Sequence, residues 1–251
     1  MISAYMNWSG GKDSSLCLHR AMQEGKYRID YLLTSVNASY DRISMHGVRR
    51  ELLMAQAASV GIPLETVELP EQPDMAQYER GIAEKVGLLK GRGCTHALFG
   101  DIFLEDLRRY REEKLLAAGI DCVFPLWKDD TTGLLHEFIH SGFKAIIVCV
   151  NSRWLDKSFC GRLIDEALLR DLPGDVDPCG ENGEYHSFVF EGPIFSRPVA
   201  FQKGEIVYRE YRAPVTTSAA DSCFTDPAAP SGFYFCDLLP AWQAESIKKT
   251  T

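Results

Sequence analysis

A glycine-rich segment at residues 9–15, Ser-Gly-Gly-Lys-Asp-Ser-Ser, constrains the fold of this chain more than any other feature. It follows a mostly apolar segment at residues 4–8 that is typical of a β-strand, and a helical pattern begins at Ser14. A strand that runs into a glycine turn at a helix N-terminus presents unpaired N–H groups and the positive end of the helix dipole to an anion. The segment therefore predicts a phosphate-binding loop, although its spacing matches neither G-x-x-x-x-G-K-[ST] nor G-x-G-x-x-G.

An acidic residue inside this loop indicates what accompanies the phosphate. Asp13 would repel a phosphate group unless a divalent cation lay between them, so the sequence predicts a Mg²⁺–nucleotide as the ligand. The alternative is a plain tight turn in which Asp13 or Ser14 caps the helix. The six-position match S-G-G-x-D-S, in the strand–turn–helix context that it requires, favours the phosphate site.

Residues 1–125 alternate short strand-like runs with longer helical patterns, which is typical of βαβ units. Strands are predicted at residues 4–8, 31–36, 64–69, 97–100 and 122–124. Helices are predicted at residues 14–24, 48–60, 75–90 and 105–118, each closed by a glycine: Gly25, Gly61, Gly91 and Gly119. We expect an α/β fold with a Rossmann-like, doubly wound parallel sheet, which binds its ligand at the carboxyl ends of the strands.

The pattern changes after residue 125, and residues 126–225 predict a smaller α+β domain. Its predicted elements are a helix at 132–141, a buried strand at 144–150, a helix at about 154–169 and a loop at 171–184 that is rich in Pro, Gly and Asp. Short antiparallel strands follow at 185–190, 199–201 and 205–211, with turns at 192–193 and 203–204. Residues 226–251 are expected to form a C-terminal tail with an apolar run at 233–239.

The charge balance and the absence of long apolar runs exclude several classes of protein. The chain carries 27 basic and 35 acidic residues, a net charge of −8, which argues against a protein that binds nucleic-acid phosphates or anionic lipid over a large surface. The longest apolar run, residues 145–150, is far shorter than the roughly 20 residues that cross a bilayer. We therefore expect a cytoplasmic protein that binds neither membrane nor nucleic acid; a homodimer is compatible with the sequence.

The eight cysteines are scattered, without a C-x-x-C pair or the spacing of a zinc ribbon. In a cytosolic chain we expect reduced and mostly buried thiols. Cys179 is the exception, because it lies in a polar, glycine-rich stretch where a thiol could take part in chemistry.

Several motifs resemble those of a known family. Residues 9–14 are similar to the PP-loop of the N-type ATP pyrophosphatases, a group that resembles the ATP-binding domains of GMP synthetase, asparagine synthetase and several tRNA-thiolating enzymes. The resemblance narrows to the diphthine–ammonia ligase family at residues 42–47, 100–102, 108–112 and 125–127, and above all at Cys-Gly-Glu-Asn-Gly-Glu-Tyr-His, residues 179–186. It covers roughly residues 2–200. His186 is a departure, because the archaeal and eukaryotic ligases tend to carry Glu there.

The resemblance implies an activity. In this group ATP is cleaved between its α and β phosphates, the substrate is adenylated and a nucleophile displaces AMP. The family name implies that the substrate is diphthine, a modified histidine of translation elongation factor 2, and that the nucleophile is ammonia. Another carboxylate remains an alternative acceptor.

The resemblance also implies roles for individual residues. The implied cofactors are ATP and Mg²⁺, with Asp13 on the metal and Lys12 neutralising the leaving pyrophosphate. The implied nucleotide-binding residues are Ser9, Gly10, Gly11, Lys12, Asp13, Ser14, Ser15, His46 and Asp101. The implied catalytic residues are Lys12, Asp13, Arg111, Glu181 and Glu184.

Two groups of charged residues also have simpler interpretations. Arg108 and Arg111 share a helix face and could reach one anion, or they could form salt bridges with neighbours such as Glu112. Glu181 and Glu184 could orient ammonia, act as a general base or hold a second metal. Alternatively, both carboxylates could be exposed charges on a turn.

Other functions compete with amide ligation. Residues 136–140, His-Glu-Phe-Ile-His, match the zinc-peptidase pattern H-E-x-x-H, but Ser141-Gly142 ends the predicted helix directly after the second histidine. Thiolation of tRNA is a second alternative, which the acidic second half of the chain disfavours. A nucleotide-binding sensor without turnover is a third.

Overall fold

A six-stranded sheet forms the first part of the fold in the computed structural model, which describes residues 1–43, 46–211 and 231–242. Five parallel strands lie in the order β4-β2-β1-β5-β6, and the short β3 pairs antiparallel with β2. These elements are β1 (Ile2–Asn7), β2 (Tyr27–Asn37), β3 (Arg42–Ile43), β4 (Leu64–Leu69), β5 (His96–Leu98) and β6 (Asp121–Val123). The predicted Rossmann-like parallel sheet is confirmed.

Four helices cover the two faces of this sheet: α1 (Lys12–Glu24), α2 (Arg50–Val60), α3 (Met75–Gly91) and α4 (Glu105–Ala118). Alternate residues of β1 divide the core, because successive side chains of a strand point to opposite faces. Met6 packs in a cluster with residues of α1 and α2, whereas Tyr5 packs in a second cluster with residues of α3 and α4. The sheet is therefore doubly wound, as predicted.

The helix ends confirm three of the four predicted glycine caps. Gly25, Gly61 and Gly119 adopt left-handed φ values of 67°, 80° and 68° at the C-caps of α1, α2 and α4. The fourth prediction is wrong by two residues, because α3 runs through Gly91 and Gly93 takes the positive φ of 98°.

A four-stranded antiparallel sheet follows, in the order β8-β7-β10-β9. Its strands are β7 (Lys144–Asn151), β8 (Tyr185–Glu191), β9 (Phe201–Tyr211) and β10 (Ser231–Pro240). Two helices accompany it: α5 (Thr131–His140) and α6 (Glu166–Asp171). Residues 231–240, which were expected in a C-terminal tail, thus form an inner strand, and that prediction is wrong for them. The domain boundaries at residues 125 and 225 stay a prediction.

The predicted helix at residues 154–169 is wrong. A 3₁₀ turn at Lys157–Phe159 and the short α6 stand in its place. Between them the backbone bonds to β7, since the Gly161 N–H donates to the Ile147 carbonyl at 2.8 Å and Leu163 forms a β-bridge with Ile146. Long-range pairing with a buried strand therefore replaces the local hydrogen bonds of a helix.

The prediction of two separate strands at residues 199–201 and 205–211 is also wrong. Phe201–Tyr211 is one strand that pairs with β10 along its length. The predicted turn at 203–204 is instead a register shift opposite Cys236 and Leu238. An irregular residue in a paired strand bends the ladder without ending it.

Sheet-to-sheet contacts place β8 against the N-terminal glycine loop. The Val189 N–H of β8 donates to the Gly10 carbonyl at 2.9 Å, and the fully buried Gln56 of α2 donates to the same carbonyl at 2.9 Å. One hydrophobic cluster contains both Trp8, which follows β1, and Phe188 of β8, and so joins the two sheets. No helix in the described ranges is long and apolar enough to span a bilayer.

Gly100, directly after β5, allows that loop to lie against the start of α1. A Cβ at this position would come within 2.9 Å of the Asp13 carbonyl carbon and 3.1 Å of the Ser14 nitrogen. Backbone atoms cannot move aside cheaply, so we expect Gly100→Ala to lower the free energy of unfolding by about 1–3 kcal/mol. Urea unfolding measures this change.

Gly87→Ala is the matched control, because Gly87 lies inside α3 with nothing within 4 Å of the added Cβ. Alanine in a helix interior is favoured over glycine by roughly 0.5–1 kcal/mol, so this variant should be as stable as the wild type or more stable. Equal stability of Gly100→Ala and the wild type would contradict the close approach.

Candidate functional site

The loop between β1 and α1 has the backbone of an anion site. Gly10 adopts a left-handed φ of 73°, and a Cβ there would lie 2.4 Å from the Gln56 side-chain oxygen. Gly11 is the N-cap of α1 and makes no side-chain capping bond. The positive φ and the close approach of Gln56 require glycine at position 10, and no side chain of the N-cap residue occupies the N–H groups at the start of α1.

Hydroxyl groups surround this loop. Ser14 and Ser15 donate to the Gly11 carbonyl at 3.0 and 2.9 Å. The Gly11 N–H donates to the Ser9 Oγ at 3.2 Å, and the Lys12 N–H donates to the Ser187 Oγ of β8 at 3.1 Å. Two N–H groups of the loop thus already bind oxygen, the type of atom that a phosphate would present to them.

The Lys12 side chain lies at the centre of the site and is only 4% exposed. Its ammonium donates to both Asp13 carboxylate oxygens, at 2.7 and 2.8 Å, and to the Cys179 carbonyl. It also lies 5.4 Å from the centre of the Tyr185 ring. Burial lowers the pKa of Lys12, but Asp13, Cys179 and Tyr185 together outweigh burial and the net pKa is raised, so the ammonium stays charged.

Asp13 is 29% exposed beside this ammonium. Burial raises the pKa of the Asp13 carboxyl, and Lys12 opposes that shift. An accessible carboxylate at the start of a phosphate-binding helix has the oxygen ligands that Mg²⁺ prefers.

The segment between α6 and β8 folds around its own acidic side chains. The Asp177 Oδ2 accepts from the N–H groups of Cys179 and Glu181 at 3.1 and 2.9 Å. The Glu184 Oε1, in a side chain that is 1% exposed, accepts from the Asp177 N–H and the Asn182 amide. These bonds make residues 177–184 a defined loop rather than an exposed turn. We call it the acidic loop.

The structure separates the two glutamates that the sequence analysis had grouped. Glu184 holds the acidic loop together, and its Oε2 is buried with no hydrogen bond among the described residues. Glu181 instead accepts from the Ile102 N–H at 2.7 Å and so contacts the segment after β5. Burial, followed by the nearby Asp13 and Asp101 charges, raises the pKa of Glu181 to about 8.

Asp101 and Arg111 form an ion pair next to this glutamate. The Arg111 Nε lies 2.8 Å from the Asp101 Oδ2, and the guanidinium stacks 4.5 Å from the Phe99 ring centre. Arg108 turns elsewhere, because it pairs with Glu112 at 2.8 Å. Both arginines thus form salt bridges, and because their partners differ they do not share one anion among the described residues.

Two histidines close the other side of the loop. His46 and His186 stack with ring centres 4.6 Å apart, and the His46 Nδ1 lies 3.3 Å from the Ser187 carbonyl oxygen. A Cβ on Gly11 would come within 3.2 Å of the His46 ring. Burial lowers the pKa of His46 to about 4 and that of His186 well below its usual value, so both imidazoles are neutral at pH 7.

Sequence reasoning missed four residues of this site. Ser187 and Gln56 carry no sequence signal of their own. Asp177 and Tyr185 lie in or next to the motif at residues 179–186, and this position was the sequence signal that could have identified them. In the structure, the Tyr185 hydroxyl donates to the Pro178 carbonyl at 2.5 Å.

Cys179 enters the site through its backbone. Its thiol is buried and donates to the Thr131 carbonyl at 3.3 Å. Burial raises the pKa of the Cys179 thiol, and the Lys12 charge only partly opposes this shift. The other six described cysteines are also free, and five of them are buried, as expected; Cys223 lies outside the described residues.

The H-E-x-x-H pattern does not form a peptidase site. Both carboxylate oxygens of Glu137, the residue that would act as general base, bind the Arg20 guanidinium. His136 and His140 instead approach Glu166 of α6.

Two family models match different parts of this chain. The family model for the diphthamide synthase N-terminal domain matches residues 1–120, and the model for the diphthamide synthase C-terminal domain matches residues 130–218.

Similar proteins named diphthine–ammonia ligase include those of Schizosaccharomyces pombe, 23% identical over 96% of this chain, and Mus musculus, 26% identical over 79%. The Danio rerio protein is 34% identical over 41% of this chain. The chain spans 40% of the length of the S. pombe protein, 82% of the mouse protein and 43% of the zebrafish protein. Because the two family models together match residues 1–120 and 130–218, the chain belongs to the diphthine–ammonia ligase family.

Proposed function

We propose that this protein is an ATP-dependent amide ligase that activates a diphthine-like carboxylate and transfers ammonia to it. The observation that supports this most is the contact of Lys12 with Cys179, which joins the glycine loop to the acidic loop across 167 residues of chain. A loop suited to phosphates and a loop rich in carboxylates thereby form one site. The names of the similar proteins point to the same activity.

ATP would bind at the loop of residues 9–15. The backbone N–H groups and the serine hydroxyls would hold the phosphate oxygens, and the buried Lys12 charge would stabilise the pyrophosphate as it leaves. Asp13 would hold Mg²⁺, because it is the accessible carboxylate of the loop. The metal would supply charge neutralisation between the phosphate groups.

The reaction would proceed in two steps. A carboxylate oxygen of the acceptor attacks the α-phosphorus of ATP, the bond to the β-phosphate breaks and pyrophosphate leaves. Ammonia then attacks the acyl carbon, the bond to AMP breaks and an amide forms. In its ionised form, Glu181 would accept the proton that ammonium loses; with a pKa of about 8, this carboxylate becomes available as a base as the pH rises toward 8.

The remaining residues would position these groups. Arg111 holds Asp101 beside Glu181, and Glu184 keeps the acidic loop folded. His46 and His186 would line the nucleotide loop as neutral, stacked rings. The diphthine acceptor, the cytoplasmic location and a homodimer stay predictions.

Product analysis tests this function. With Mg²⁺, ATP, ammonium and a diphthine-bearing acceptor, we expect AMP and pyrophosphate in equal amounts and one amide per AMP. Asp13→Asn should lower the rate of AMP formation by at least about 100-fold, because the metal ligand is lost. Asp121→Asn is the matched control, since Asp121 is 74% exposed on β6 and should leave the rate unchanged. ADP as the main product would contradict the mechanism.

The raised pKa of Glu181 predicts a pH-dependent stability. The folded protein holds this proton up to about pH 8, whereas the unfolded chain releases it near the ordinary glutamate pKa of 4.5. Stability is therefore lost as pH rises from 4.5 through 8. Glu181→Gln removes this loss, and its amide oxygen can still accept from the Ile102 N–H. The free energy of unfolding of the variant minus that of the wild type should therefore be at least about 1 kcal/mol larger at pH 8.5 than at pH 5.

Urea unfolding at the two pH values measures the difference. Glu113→Gln, an exposed carboxylate on α4, is the control and should show no such change. An equal difference between Glu181→Gln and wild type at both pH values would show that Glu181 titrates normally.

A further inference from the structure

The histidines of the H-E-x-x-H pattern meet a third potential ligand that the pattern does not contain. The His136 Nδ1 lies 3.0 Å from the Glu166 Oε1, and the His140 Nε2 lies 3.3 Å from the same oxygen. One ligand atom from each of the three residues lies within 4.8 Å of the others. The cluster is on the surface, with the three side chains 42%, 71% and 41% exposed.

These distances suit a shared metal ion. Zn²⁺ binds imidazole nitrogen and carboxylate oxygen at about 2.0–2.2 Å, and two adjacent ligands of a tetrahedral ion therefore lie roughly 3.3 Å apart. The separations of 3.0 and 3.3 Å are close to this spacing. Two histidines and one glutamate, with a fourth position open to water, are a ligand set that proteins use for zinc.

Both helices that carry the ligands are fixed by the core. On α5, Leu135 and Phe138 are at most 1% exposed, and the Asp130 side chain caps the helix at 2.7 Å. On α6, Leu168 is fully buried, and the Asp165 side chain accepts from its N–H at 2.8 Å. The ligand positions are thus preorganised, which limits the cost of ordering them when an ion binds.

The contacts of Glu137 argue against peptidase chemistry at this cluster. Glu137 is bound to Arg20 through both of its oxygens and is not available to activate a metal-bound water. We propose that His136, His140 and Glu166 form a surface binding site for a divalent transition-metal ion such as Zn²⁺, which joins α5 to α6 without peptidase chemistry. The site does not depend on the proposed ligase function.

Equilibrium dialysis with Zn²⁺ tests this proposal. The full chain is stripped with a chelator, its accessible thiols are alkylated to remove sulfur ligands, and excess Mg²⁺ occupies carboxylate sites such as Asp13. We expect one bound Zn²⁺ per chain. His140→Gln and Glu166→Gln should each weaken binding by at least about tenfold, because each removes one of three ligands. Both side chains are exposed, so neither substitution disturbs the core.

His96→Gln is the matched control. His96 also faces a carboxylate, Asp121 at 3.7 Å, but no cluster with a third ligand is found there among the described residues. This variant should bind Zn²⁺ as the wild type does. Absence of stoichiometric binding by the wild type, or equal affinity of the wild type and the His140→Gln and Glu166→Gln variants, would overturn the proposal.

Discussion

The geometry of the site depends on the hydrogen bonds of the buried Lys12 ammonium. A buried charge without partners costs several kcal/mol, so this ammonium requires the Asp13 carboxylate and the Cys179 carbonyl around it. The first partner belongs to the glycine loop at residues 9–15 and the second to the acidic loop. Satisfying one charge therefore brings together two segments that are distant in sequence, as the proposed function requires.

The rest of the fold supports this contact. β1 is central in the parallel sheet and delivers the loop at its carboxyl end, where the strand order reverses. Gly100 lets the loop after β5 approach α1, and the Ile102 N–H that follows holds Glu181. From the other side, β8 contributes Ser187 and Val189 to the same glycine loop. Two sheets and the acidic loop thus enclose one site.

Features that depend on residues close together in sequence could be predicted, and features that depend on pairing between distant residues could not. The strands and helices around residues 9–15 were predictable, because periodicity and glycine caps are local signals. Residues 161–163 were not, since their backbone bonds to β7 outweigh their helical pattern. The same holds for β10, whose position between β7 and β9 depends on pairing across long separations.

The site shows the same division. The glycine loop was recognisable from its residues, whereas the different contacts of Glu181 and Glu184 follow from bonds to Ile102 and Asp177 that spacing alone does not indicate. The histidine pattern at 136–140 offered a peptidase as an alternative, which the helix end at Ser141-Gly142 already disfavoured; the contact between Glu137 and Arg20, 117 residues away, was not predictable from the pattern.

Hydrogen exchange on binding of a non-hydrolysable Mg²⁺–ATP analogue tests most directly whether Lys12 couples the two loops. The account predicts changed protection of the backbone amides at residues 9–15 and also at residues 177–187, and loss of the second change in Lys12→Met if that variant still binds. Changed protection confined to residues 9–15 in the wild type would contradict a shared site.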